Sequence, residues 1–214
     1  MNDLGAALAL LLDARNRYST VRADIRNVFT PLRGVAEGQG EDAVTREEYV
    51  TRIWLATPGR LRVETEEDGA GWSIGIRDGA IWWAVDSDGS RHSNVHEPDV
   101  GSDIGDSTAL LFDPAPLAGA LKLELTGEAE LLGRRVIRMR GTRRPNVLTT
   151  DFELDELEPE DELELDVDAE RGVLLRRRSE HRRHEWFLQE AVDIAFDQEF
   201  DPQTFILSPT ERQP

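Results

Sequence analysis

Gly71-Trp72-Ser73-Ile74-Gly75 matches Gly-x-Ser-x-Gly, the pattern that presents a nucleophilic serine. That chemistry needs a strained turn from a strand into a helix, which lifts the serine above a sheet. Here the flanking residues predict a strand running on to Arg77 and a second strand after it, so Ser73 reads as a strand serine on the face opposite Trp72 and Ile74. Asp86, Asp88 and Glu97 occupy positions 1, 3 and 12 of a calcium loop, but Arg91 stands where that loop requires glycine. His181 and His184 are three apart on an expected strand and so point to opposite faces, while His92 and His96 lie in a polar loop. The chain has no cysteine, which excludes thiolate catalysis, disulfides and thiolate metal sites. No catalytic residue, metal site or cofactor is expected.

The chain of 214 residues carries a net charge of −18. Such a balance argues against nucleic acid and anionic membrane surfaces, which repel an acidic protein. No run of about 18 apolar residues exists, so no membrane-spanning helix is expected. Leu4-Gly-Ala-Ala-Leu-Ala-Leu-Leu-Leu12 has Asp3 before it instead of a basic region, and reads as a helix rather than a signal peptide. On that reading the protein is cytoplasmic; a monomer is expected as well.

The elements that position these residues are mostly strands. A helix over about 2–19 is expected, with Asn2 or Asp3 as its cap and Leu4, Leu8, Leu11 and Tyr18 as its apolar stripe. Asp-Gly pairs recur at Asp68, Asp78 and Asp88, ten residues apart, and suit tight hairpins. Between them Leu61 and Val63, then Trp72, Ile74 and Ile76, then Ile81, Trp83 and Val85 alternate with polar residues. This predicts a three-strand meander, apolar on one face. Further strands are expected at Thr20–Phe29, Thr45–Leu55, Leu121–Leu125, Val136–Arg140, Glu162–Asp168, Val173–His184, Trp186–Phe196 and Thr204–Leu207. Thr108–Ala118 fits one or two helical turns, and mobile loops are expected over about 87–107 and 142–161.

Twelve of the twenty residues from Asp151 to Glu170 are acidic, and a basic strand follows them. Antiparallel pairing sets their opposite charges across from each other. The alternative is that Arg176, Arg177, Arg178, Arg182 and Arg183 dock an acidic partner. Trp82 and Trp83 are adjacent, so one of them faces away from the first layer, and the apolar surplus suits a cavity lining.

In order along the chain stand Tyr18-Ser19-Thr20-Val21-Arg22, Trp54 before Pro58-Gly59-Arg60-Leu61-Arg62, and Asp78-Gly79 with Trp82. Leu110-Leu111 before Pro114, Gly133-Arg134, and Leu165-Asp166 with Gly172-Val173-Leu174 follow. In this order, over about Leu4 to Leu207, the chain resembles the LolA/LolB-like superfamily of bacterial lipoprotein carriers and lipid-binding proteins. The resemblance implies one α+β domain over 1–214. Its sheet, over about 20–207, would be antiparallel and strongly curved, a half-barrel, with the N-terminal helix and short helical turns on its concave face. It also implies non-catalytic binding of a lipid, acyl chain or lipidated protein. Trp54, Trp72, Ile74, Trp82, Trp83, Leu111, Phe112 and Met139 are the expected apolar contacts. The alternative is an intracellular protein-interaction or regulatory module, as in regulators of anti-sigma factors.

Overall fold

The structure, a computed structural model, describes residues 3–30, 46–67, 71–97, 104, 106–144, 162–181 and 184–207. Its fold class is the expected α+β: a curved antiparallel sheet with an N-terminal helix and short helices. Helix α1 (Leu4–Asp13) precedes strands β1 (Thr20–Phe29), β2 (Glu47–Ala56), β3 (Arg60–Glu67), β4 (Gly71–Asp78), β5 (Ile81–Asp86) and β6 (Arg91–Ser93). Helices α2 (Asp106–Phe112) and α3 (Ala115–Ala120) follow. The chain then forms β7 (Leu121–Leu131), β8 (Arg134–Arg143), β9 (Glu162–Asp168), β10 (Leu174–His181) and β11 (His184–Phe196). The strand order is β6-β5-β4-β3-β2-β1-β11-β10-β9-β8-β7, so β6 and β7 are edges and the sheet is open. Register shifts in β7 and β10 add bulges, which bend and twist a strand locally.

Contacts gather the chain into two compact units. One comprises 1–17, 26–48 and 107–190, and the other 18–25, 49–106 and 191–214. In the first, α1 is capped by the Asp3 carboxylate, which accepts from the Gly5 N–H at 2.9 Å. The helix is shorter than the expected 2–19. It ends at Asp13 and continues as a 3-10 turn, Ala14–Asn16. It buries Ala7, Leu10, Leu11 and Ala14, whereas Leu8 is only half-buried. The buried set follows i, i+3, i+4, i+7 spacing, one face of a helix. The stripe expected from Leu4 and Leu8 is therefore rotated.

Strands β8 and β9 in this unit alternate along part of their length, and Val136, Asp166 and Asp168 are buried as well. Ile137, Met139, Leu163, Leu165 and Val167 are buried, and Arg138 and Arg140 stand on the opposite, charged face. Pairing of β9 with β10 sets Asp166 beside Arg176 and Glu164 beside Arg178, the cross-strand charge matching expected from the acidic and basic runs. Arg182 and Arg183 lie outside the described residues, as do the Asp68-Gly69 turn and most of the expected loop over 142–161. Within the expected loop over 87–107, the short edge strand β6 forms.

The second unit holds the predicted meander, and its register corrects the facing of the strands. Leu61 pairs with Arg77, and Arg62 with Ile76, which in turn pairs with Trp83. Directly paired residues of an antiparallel sheet project to the same side. Leu61 and Val63 therefore share a face with Ile53 and Leu55, while Trp72, Ile74, Ile76, Ile81, Trp83 and Val85 point to the other. Both faces carry apolar side chains. The turn joining β4 to β5 is Gly79-Ala80, with Gly79 at φ 62, a position in two-residue hairpins that favours glycine. The expected strand Thr204–Leu207 is instead a 3-10 turn, Pro202–Phe205, with the Asp201 carboxylate accepting from the Gln203 N–H.

Candidate functional site: the apolar face of β4 and β5

One row of side chains crosses the second unit: Trp54 on β2, Arg62 on β3, Ile76 on β4, Trp83 on β5 and Ser93 on β6. The next row holds Arg52, Glu64, Ile74, Val85 and Arg91. Trp72 extends the apolar track along β4 and is 44% exposed. Ile76 is fully buried, and Trp54, Ile74 and Trp83 are half-buried around it.

What covers Ile76 is the C-terminal stretch. Phe205 packs on Ile76 and Ala56, and Phe200 and Leu207 join the same cluster. The Phe200 and Phe205 rings meet edge to face at 6.0 Å. Two arginines of β3 hold this stretch: the Arg60 guanidinium lies 5.0 Å from the Phe205 ring centre, and Arg62 donates to the Thr204 carbonyl at 3.3 Å. Arg62 is itself paired to Glu64 at 2.6 Å and lies 6.0 Å from the Trp54 ring, so its charge is compensated where it is buried. Asp-Pro at 201–202 is the sequence signal that would have placed this turn, an acceptor at the cap followed by proline in the first helical turn.

Between the strands and this stretch lies a cavity of about 500 Å³, lined by Trp83, Val85 and Ser93 on one side and Phe205, Ile206 and Leu207 on another. Arg91, His92 and Asp78 also border it. A volume of this order falls within the range of small-molecule sites.

The expected apolar contacts thus divide. Trp54, Ile74 and Trp83 meet at this face, with Trp72 farther along it. Trp82 points to the opposite face, where the Asn94 carboxamide oxygen accepts from its backbone N–H at 2.9 Å. Leu111 and Phe112 of α2 and Met139 of β8 are fully buried in the other unit. Arg176 and Arg178 are held by Asp166 at 2.6 Å and by Glu164 at 2.8 Å. Arg177 is turned inward and fully buried, its Nε donating to Gln189 Oε1 at 2.7 Å.

Ser73 sits within β4, half-buried, between Thr65 of β3 and Asp86 of β5. No helix follows it, so the strand-to-helix elbow that the hydrolase pattern requires is not formed. The cross-strand neighbour of Ser73, Asp86, has Oδ2 3.9 Å from His92 Nε2. Asp88 is held below the usual carboxylate range by hydrogen bonding to Ser90, within the β5–β6 turn. Among the described residues no group of three or more His, Asp or Glu side chains is placed to hold a metal, and no helix is long and apolar enough to cross a membrane.

No protein-family model matches the sequence, and no curated protein does. Solved structures do share the fold. The Pseudomonas aeruginosa MucA/MucB complex matches at 13% identity and TM-score 0.54, over 98% of this chain and 62% of that one. The chain thus spans about three fifths of that relative's length. An uncharacterised conserved protein from Thermus thermophilus matches at 10% identity and TM-score 0.53, over 99% of this chain and 98% of its own. LprF from Mycobacterium bovis matches at 10% identity and TM-score 0.50, over 91% and 95%. At these identities what the chain shares with the three structures is their fold.

Proposed function

We propose that the protein is a non-catalytic binder of an apolar ligand, a lipid or acyl chain, seated on the β4–β5 face. The observation that carries this reading is the cavity of about 500 Å³ between Trp83, Val85 and the Phe205–Leu207 stretch. Ile74, Trp83 and Val85 offer a continuous track for methylenes, each worth about 0.8 kcal/mol on burial. Trp72, 44% exposed at the end of that track, leaves it open for a longer chain. The resemblance of the sequence to the LolA/LolB-like superfamily is consistent with such a role.

The rival reading, an acidic protein partner docked on Arg176 and Arg178, is disfavoured because Asp166 and Glu164 already occupy those guanidinium groups. A partner would have to displace carboxylates held by the chain itself.

The test is a titration of purified protein with a dansyl-labelled undecanoic acid, alongside native mass spectrometry of its extracted lipids. Saturable uptake that is lost in Trp83→Asp, with the circular dichroism spectrum unchanged, is expected. Protein that arrives empty and takes up no probe overturns the reading.

A further inference from the structure

The cavity has an asymmetry of construction. One side is sheet, in which every strand is hydrogen-bonded to a neighbour. The other side is Phe205, Ile206 and Leu207, in a stretch that pairs with no strand and holds only one short 3-10 turn. Among the described residues its ties to the sheet include the Phe205 ring on Ile76 and Ala56, the packing of Phe200 and Leu207 on the same cluster, the Arg60 guanidinium over the Phe205 ring, and a hydrogen bond from Arg62 to the Thr204 carbonyl.

The chemistry of those ties is that of an occupant. Phe205 and Leu207 cover Ile76 and Trp83 with hydrocarbon, the same material that an acyl chain would supply. Exchanging one for the other keeps the apolar face dry, so the exchange costs little hydrophobic free energy. Arg62 keeps Glu64 as its partner when Thr204 leaves, so release strands no buried charge. Ile206, between the two anchoring residues, is 44% exposed and places no comparable hold on the sheet.

We propose that Phe200–Leu207 is a displaceable strap: it walls the cavity beside Trp83 and Val85, covers Ile76, and is released when a bound chain extends from the cavity onto Ile76. The proposal rests on the apolar-ligand reading above and assigns its regulation. A site open only part of the time binds more weakly by that fraction, so loosening the strap tightens apparent affinity.

The experiment compares wild type, a chain truncated after Glu199, and Arg60→Ser, each titrated with the dansyl-labelled undecanoic acid. Amide exchange is followed over 200–207 with and without the probe. The expected result is affinity tighter by about three-fold or more in both variants, with faster exchange over 200–207 when the probe binds to wild type. If the truncated chain fails to fold, Arg60→Ser and the exchange measurement decide. Equal or weaker affinity in the folded variants, or slower exchange over 200–207 on binding, overturns the strap and leaves the ligand reading standing. No uptake by any of the three proteins overturns both.

Discussion

The carbonyl oxygen of Leu10, in α1, stands against the position that a Cβ on Gly172 would take. Gly172 closes the turn between β9 and β10 at φ 76, and this close approach fixes where the helix meets the sheet. Asp168 builds the turn. Its Oδ1 accepts from the N–H groups of Glu170 and Arg171 at 2.8 and 2.9 Å, and its other oxygen takes the Arg134 guanidinium. Arg17, just after α1, donates to the Glu170 carbonyl, and Arg171 donates back to the Arg17 carbonyl.

Gly172→Ala therefore meets two penalties, a left-handed backbone angle and a clash with main chain that cannot swing aside. Together they should cost about 3 kcal/mol, a fall in Tm of roughly 6–12 °C for a chain of this size. Gly133→Ala provides the comparison. It has a similar φ of 69 but nothing within 4 Å of its added Cβ, so only the strain remains, about 1 kcal/mol. Equal thermal shifts in the two variants would show that the Leu10 contact plays no part.

The strand order of the meander was legible because Leu61, Ile74 and Trp83 each sit in an alternating run. The relation between the runs was not. A slip of one residue in register moves a whole strand's side chains to the other face, and nothing in the residues of β3 says whether Leu61 or Arg62 opposes Ile76. The helix posed the same problem differently. Its residues from Leu4 to Leu12 are all apolar or glycine, so several rotations bury equally greasy faces. Only packing, with Leu10 at Gly172, chooses Ala7, Leu10 and Leu11. At the candidate site the aromatic residues of β4 and β5 were readable. Arg60, Arg62 and Phe205 were missed because their meeting joins residues about 140 apart, and because the apolar run Phe205-Ile206-Leu207 reads equally well as the end of a strand.

Leu11 and Leu12 test the rotation of α1. Leu11 is fully buried, and Leu12 is 60% exposed. Leu11→Asp should lose about 4 kcal/mol or more, since it places an unpaired carboxylate among apolar groups. Leu12→Asp should stay within about 0.5 kcal/mol of wild type. Urea unfolding of both variants reads the difference directly, and comparable midpoints would mean that the helix does not dock on this face.

Arg177 tests a polar element in the interior of the first unit. Its guanidinium lies 4.7 Å from the Phe187 ring centre and donates to Gln189, whose Nε2 in turn donates to Asn27 Oδ1 at 2.9 Å. Arg177→Ala removes both the stack and the donor, and leaves the Gln189 oxygen without that bond. A loss of about 3–5 kcal/mol is expected. Arg177→Met restores the packing of the stem without the charge and should recover part of that loss. If Arg177→Ala unfolded within about 1 kcal/mol of wild type, the network would be incidental to folding.

Glu164 gives the pH dependence. Hydrogen bonding to Arg178 holds its carboxyl below the ordinary range, with Arg140 and Arg176 adding to the effect against the opposing cost of burial. A folded-state pKa below the unfolded one means that the unfolded chain takes up the proton first. The stabilisation is then complete above the unfolded value of about 4.3 and is lost as pH falls through the lowered folded value. Glu48, held low by Arg26, acts in the same direction. The Glu164 side chain is 41% exposed, so solvent screens much of the interaction and the effect on Tm should be modest. The expected observation is a Tm that is level from neutral pH down to about 5 and declines below it. In Glu164→Gln the neutral-pH Tm is lower and the acid decline shallower, and high salt narrows the gap between the two proteins. A Glu164→Gln variant whose acid decline matched wild type in steepness and position would show that the Arg178 pair contributes nothing to the pH dependence of folding.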